Sequence, residues 1–146
     1  MNWQTADSVM FALEQCFQGV QQRMADLPIL NPKLRVQAVD FVLFQGNWLG
    51  VLISPWFMNL LYLRPDALPL GTVVSHEFPA GCFDFVVGYE PELGFYQSCS
   101  LYSPMFAFEE QSVAVHTAQS ALQALLASPE LSRRDVLRGH FSKRNA

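Results

Sequence analysis

The chain has 146 residues, 51% of them hydrophobic and 13% aromatic, with 15% charged and a formal net charge of −4. That length suits one domain, and so much apolar material excludes a disordered chain and can fill a core without disulfides or a metal. Residues 1–131 hold four basic side chains against twelve acidic ones, a balance of −8, while residues 132–146 hold five against one, a balance of +4; an acidic body repels phosphate backbones, which argues against nucleic acid and favours a cationic partner segment.

In chain order, Met1 to Thr5 carry no cationic stretch followed by an apolar run, so no secretory signal is expected. Residues 5–25 are predicted helical. Ala6, Val9, Met10, Leu13, Phe17, Val20 and Met24 recur at helical spacing, Thr5 or Asp7 can cap the start, and Pro28 and Pro32 close the segment. Six strands are predicted next: 36–44, 48–54, 59–64, 72–78, 83–87 and 94–101. Gly46-Asn47 fits a tight hairpin turn with positive φ at Gly46. Pro79-Ala80-Gly81 and Gly88 to Leu93 are short connections that imply antiparallel neighbours. Residues 109–127 form a second helix, with Val113, Ala118, Ala121, Leu122 and Leu125 as its buried stripe, stopped by Ser128-Pro129. Ser132 can cap a short last helix, with Asp135 at its third position and Gly139 just past its end. The expected fold class is α+β: an antiparallel meander of about six strands, one face covered by the N-terminal and C-terminal helices. The expected division is a single domain over 1–131 and a basic tail over 132–146. Every apolar run is broken by Gly, Pro, Ser or Asn, so no membrane insertion is expected.

The chemistry-bearing residues form no catalytic constellation. Cys16, Cys82 and Cys99 are far apart and contain no CxxC pair, against a disulfide framework, a zinc site or a rubredoxin-type iron site. Cysteines so placed are expected as reduced thiols in the cytoplasm. Cys99 or Ser98 with His76 or His116 would be the material for nucleophilic catalysis, but no motif surrounds them, and Cys99 in a strand reads as a buried thiol. No phosphate-binding glycine loop is present. No catalytic, cofactor or metal residue is therefore assigned. The rival to a protein-binding role is a small-ligand or cofactor-binding domain with an apolar pocket among the aromatics. An enzyme using Cys99 ranks third.

Two local patterns are more specific. One is Asp40-Phe41-x-Leu43-Phe44-x-Gly46-x-Trp48-x-Gly50-x-x-Ile53-Ser54-Pro55-Trp56, and the other is Tyr96-x-Ser98-Cys99-Ser100-Leu101-x-Ser103-Pro104. Each ends a strand with Ser-Pro, which removes a ladder donor and lets the Ser hydroxyl bond the turning backbone. Together with Phe78-Pro79-x-Gly81-x-Phe83-x-Phe85 and Val87-Gly88, these patterns resemble the HybE/HupJ family of nickel-iron hydrogenase assembly chaperones over residues 36–110, and more loosely over the whole chain.

The resemblance implies a cytoplasmic, non-catalytic accessory protein for an exported uptake hydrogenase. It would bind the small subunit and its twin-arginine signal peptide until cofactors are inserted, with the large subunit as a second candidate partner. Asp40, Glu109 and Glu110 are the carboxylates expected to meet paired guanidiniums. Trp48, Trp56 and Phe57 are expected to take the apolar part of the peptide. Some relatives are associated with a rubredoxin partner or module, for which this chain lacks the cysteines. Ser132-Arg133-Arg134-Asp135-Val136-Leu137-Arg138 itself has the shape of a twin-arginine signal, S-R-R-x-F-L-K, with Val136 for Phe and Arg138 for Lys. No apolar stretch follows it, so it is not expected to direct export. Two readings stay open: a basic terminal helix docked through Val136 and Leu137, or a pseudo-ligand that uses Arg133 and Arg134 to occupy an acidic peptide site.

Overall fold

The computed structural model describes residues 3–127. Its elements are α1 (Ala6–Arg23), β1 (Gln37–Phe44), β2 (Asn47–Ile53), β3 (Met58–Tyr62), β4 (Val73–Phe78), β5 (Gly81–Glu90), β6 (Gly94–Tyr102) and α2 (Gln111–Leu126). Thr5 starts α1 through a reciprocal cap: its Oγ1 accepts from the Ser8 amide at 3.1 Å, and its own amide donates to Ser8 Oγ at 3.3 Å. The β1–β2 turn has two left-handed residues, Gln45 (φ 51°) and Gly46 (φ 86°), between the paired Phe44 and Asn47. Gly46 has the expected positive φ, but its turn partner is Gln45 and not Asn47.

All six strands form one antiparallel sheet in the order β1-β2-β3-β6-β5-β4. The α+β class and strand number are as expected, but the path is not a simple meander. The loop 63–72 carries the chain from β3 to the far edge, and β5 and β6 then return to pair beside β3. The sheet curls strongly: Phe44 at the end of one edge strand stacks on Phe78 at the end of the other, ring centroids 5.0 Å apart.

The two helices lie on opposite faces, which corrects the expectation that they share one. On the inner face, Ala114, Ala118, Leu122 and Leu125 of α2 pack with Val39, Leu49, Val51, Ile53, Met58, Leu60, Tyr62 and Phe85. On the outer face, Val9, Leu13, Cys16 and Phe17 of α1 pack with Ala38, Phe41, Leu52 and Leu61. The cause is in β2, where every residue from Leu49 to Ile53 is buried; a strand apolar on both sides needs cover on both. Val113, expected in the α2 stripe, is 50% exposed, because the stripe runs through Ala114 and Ala118 instead.

Two tight approaches explain glycines of the patterns. β1 carries a bulge: Asp40, at φ 54°, and Phe41 together oppose Gly50 between the pairs Val39–Val51 and Val42–Leu49. The Phe41 ring lies so close over Gly50 that a Cβ there would meet it at 2.4 Å. On β5, a Cβ at Gly88 would meet the Tyr96 ring at 2.8 Å.

Candidate functional site

Strand alternation places Val73, Ser75 and Glu77 of β4, Cys82, Asp84 and Val86 of β5, and Ser98 and Ser100 of β6 on the outer face, where α1 does not reach. The sequence pattern Tyr96-x-Ser98-Cys99-Ser100 thus divides by face: Tyr96, Ser98 and Ser100 point outward, and Cys99 packs inward against the core. The open face is bounded on the α1 side by a row of aromatic rings. Trp56 meets Phe57 at 5.2 Å, Phe57 meets Phe17 at 6.0 Å, and Phe17 meets Tyr96 at 6.1 Å between centroids. Next to this row, Asn59 pairs in register with Ser100, and its buried Oδ1 has no hydrogen-bond partner among the described residues. A buried acceptor of this kind is costly unless a donor reaches it.

The face is acidic. Glu77 and Asp84 are exposed on it, and Glu90 continues their row along β5. Of the four basic residues among those described, Arg23 pairs with Glu90 (3.6 Å), Lys33 with Glu109 (2.5 Å) and Arg64 with Asp66 (3.1 Å). The fourth, Arg35, bonds Gln37 beside α2. No basic side chain among the described residues stands with Ser75, Glu77, Asp84 and Val86.

The expected site residues do not form one constellation. Trp56 and Phe57 are half-buried at the rim of the open face. Trp48 is at the other end of β2, donating from its indole Nε1 to the Trp3 carbonyl at 3.1 Å, beside a hollow of about 430 Å³ that also contacts Leu43, Leu63 and Phe95. Asp40 sits in the β1 bulge near Leu122 and Leu126 at the end of α2. Glu109 and Glu110 stand at the start of that helix, some 24 Å away along a 16-residue axis. Lys33 holds the Glu109 carboxyl below its usual range through a hydrogen bond and its charge. Arg133, Arg134, Val136 and Leu137 lie outside the described residues. The row Glu77, Asp84, Ser98 and Ser100 was not singled out from the sequence; its signal was small polar residues at every second position of neighbouring strands.

The two Ser-Pro ends are joined by one residue that was also missed. Ser54 Oγ accepts from the Trp56 and Phe57 amides at 3.2 and 2.9 Å, as expected for a Ser that closes a turn. Buried Asn31 donates its backbone N–H to the Pro55 carbonyl at 2.8 Å and its side-chain amide to the Met105 and Phe108 carbonyls at 2.9 Å each. This pins the β2–β3 turn and the segment after Ser103-Pro104 to one another.

Two of the three thiols, Cys16 and Cys99, are set up for packing, and Cys82 is exposed. Burial, reinforced by Glu90 and Glu92, pushes the Cys16 thiol up to about 12, and burial with Asp84 raises that of Cys99. A thiol that keeps its proton is a poor nucleophile. Cys16, Glu90 and Glu92 bring their donor atoms within 4.8 Å, but the thiol proton is directed at Glu92 (3.8 Å) and Glu90 faces Arg23. The inner face is filled by Tyr62, Phe85, Leu49, Met58 and Met105, each with no more than 1% exposure.

Residues 8–145 match the family profile described as NiFe-hydrogenase assembly chaperone HybE. The chain belongs to the HybE family of hydrogenase assembly chaperones. It is 40% identical to protein HoxT of Cupriavidus necator over 124 residues, 74% of this chain and 69% of that one. It is 36% identical to the hydrogenase expression/formation protein HupJ of Bradyrhizobium diazoefficiens over 85% of this chain and 83% of that one. The solution structure of HybE from Escherichia coli superposes with a TM-score of 0.66 at 27% identity, covering 88% of this chain and 82% of the other. HybE-family membership makes the chain one of a group of assembly chaperones, and no helix among its described residues is long and apolar enough to cross a membrane.

Proposed function

We propose that this HybE-family chain is a non-catalytic chaperone that binds the small subunit of an exported nickel-iron uptake hydrogenase, with its twin-arginine signal peptide, until assembly is complete. Such holding precedes export, which puts the work in the cytoplasm. The observation that carries the reading is the outer face of β4, β5 and β6, which no other described element covers: acidic, with no basic side chain among the described residues beside Glu77 and Asp84, and walled by aromatics. Carboxylates at Glu77 and Asp84 suit paired guanidiniums. Trp56 and Phe57 supply apolar contact at the rim, and an incoming amide can satisfy Asn59 Oδ1. In this arrangement Glu77 and Asp84 take the role expected of Asp40, Glu109 and Glu110, and Trp48 lies outside the contact.

The test is a titration of the full chain with a small-subunit signal peptide and its Lys-Lys variant, at low and high salt. The Arg-Arg peptide binds more tightly, and high salt weakens it. Glu77→Lys/Asp84→Lys lowers affinity at least tenfold, about 1.4 kcal/mol, while Glu109→Lys/Glu110→Lys changes it less than twofold. Equal binding by both peptides, or full affinity in Glu77→Lys/Asp84→Lys, removes the outer face from the reading. Binding only to the mature small subunit or to the large subunit moves recognition off the signal peptide.

A further inference from the structure

Residues 128–146 lie outside the described residues, but the point from which they depart is fixed. The Ala80 amide donates to the Leu125 carbonyl at 3.1 Å, so α2 ends against the β4–β5 turn. Moving away from that turn, the outer face presents the cross-strand pairs Glu77–Cys82, Ser75–Asp84 and Val73–Val86. It therefore reads acidic near the turn and apolar further on, with Val73 59% and Val86 43% exposed. The departing segment reads in the complementary order: Arg133 and Arg134 first, then Val136 and Leu137.

We propose that residues 132–138 of this chain dock on the outer face of β4 and β5, with Arg133 and Arg134 at Glu77 and Asp84, and Val136 and Leu137 over Val73 and Val86. The distances allow it: the six residues from Ala127 to Arg133 reach up to about 20 Å, and the strand from Glu77 back to Val73 covers about 14 Å. The charge split along the sequence supplies the attraction, because Glu77 and Asp84 lack a basic partner among the described residues and the segment from Ser132 onward carries five basic residues against one acidic. Tethering raises the effective concentration of the segment far above that of a free peptide. The consequence rests on the function proposed above: the chain shields its own client surface, and a client must displace the segment, which lowers its apparent affinity by the fraction of chains in the open state.

Hydrogen exchange of amides 73–86, read by mass spectrometry on the full chain at low salt, tests the docking. Exchange is at least fivefold faster in Arg133→Glu/Arg134→Glu and in Glu77→Arg/Asp84→Arg than in the natural chain. The combined variant, with the charges exchanged, returns to slow exchange. Equal rates in the natural chain and Arg133→Glu/Arg134→Glu overturn the docking, as does a combined variant that stays fast. The signal peptide then separates the two ideas. Docking predicts at least threefold tighter peptide binding by Arg133→Glu/Arg134→Glu. Protection with charge-exchange rescue, but no peptide binding to any variant, keeps the docking and sinks the proposed function. Equal exchange rates with peptide bound by the natural chain keep the function and sink the docking.

Discussion

Asn31→Ala removes two side-chain hydrogen bonds, to the Met105 and Phe108 carbonyls, together with the Oδ1 that accepts from the Lys33 amide at 3.0 Å. The side chain is 4% exposed, so water does not readily replace it. Each carbonyl left without its partner costs about 1–2 kcal/mol, giving about 3 kcal/mol in all. For a chain of this size, with a urea m-value of about 2 kcal/mol/M, the midpoint falls by about 1.5 M with m unchanged. Asn31→Asp sharpens the test: it keeps the size and the acceptor for Lys33 but sets a carboxylate against two carbonyl oxygens, and loses at least as much. Urea unfolding followed by tryptophan fluorescence measures both. An Asn31→Ala chain within about 0.5 kcal/mol of the natural one refutes the idea that Asn31 ties the two Ser-Pro ends together.

Gly50→Ala forces the Phe41 ring aside and costs about 1–3 kcal/mol; in a Phe41→Ala background the same change costs less, and a double-mutant cycle in urea measures the difference. Cys16 and Tyr96 are both raised to about 12 by burial. Raised values favour the protonated forms in the folded chain, so their contribution is complete below about pH 9 and is lost as pH climbs towards 12. Urea midpoints at pH 7, 9 and 11 follow this loss, and Cys16→Ala makes it shallower. Alkylation at pH 8, located by mass spectrometry, proceeds first at exposed Cys82 and reaches Cys16 only on unfolding. Lys33→Met returns the Glu109 carboxyl to its ordinary titration range, seen by side-chain NMR, with no measurable change in the urea midpoint because the pair is exposed.

The helices and strands were legible because their periodicities are local. Val9, Leu13 and Phe17 mark one side of α1, and the alternation in 73–77 and 82–86 marks two strands with one wet face. The placement of the helices was legible in principle from Trp48-Leu49-Gly50-Val51-Leu52-Ile53, which has no polar side and so needs cover above and below. The strand order was not, because nothing in the loop 63–72 records that β4 crosses to the far edge, and the pairing of β3 with β6 is a long-range choice. The same choice hid the outer-face row: Asp84, Ser98 and Ser100 come together only once β5 and β6 lie beside β3. Asn31 stood in a proline-bounded connection with no periodic signal, and the acceptors of its side-chain amide, the Met105 and Phe108 carbonyls, are more than seventy residues away. The carboxylates chosen from sequence, Asp40, Glu109 and Glu110, were near the Ser-Pro patterns along the chain but lie along α2 and away from the open face.

The bulge at Asp40 also bears on how the chain behaves when crowded by copies of itself. Among the described residues the sheet has two unpaired strand edges, β1 and β4. On β1 the left-handed Asp40 breaks the ladder and sets an exposed carboxylate in mid-strand, a device that discourages a neighbouring strand from adding on. β4 has no bulge, proline or lysine in its six residues. Any self-association during expression or refolding is therefore expected at the β4 edge, and Ser75→Lys is the change expected to raise solubility.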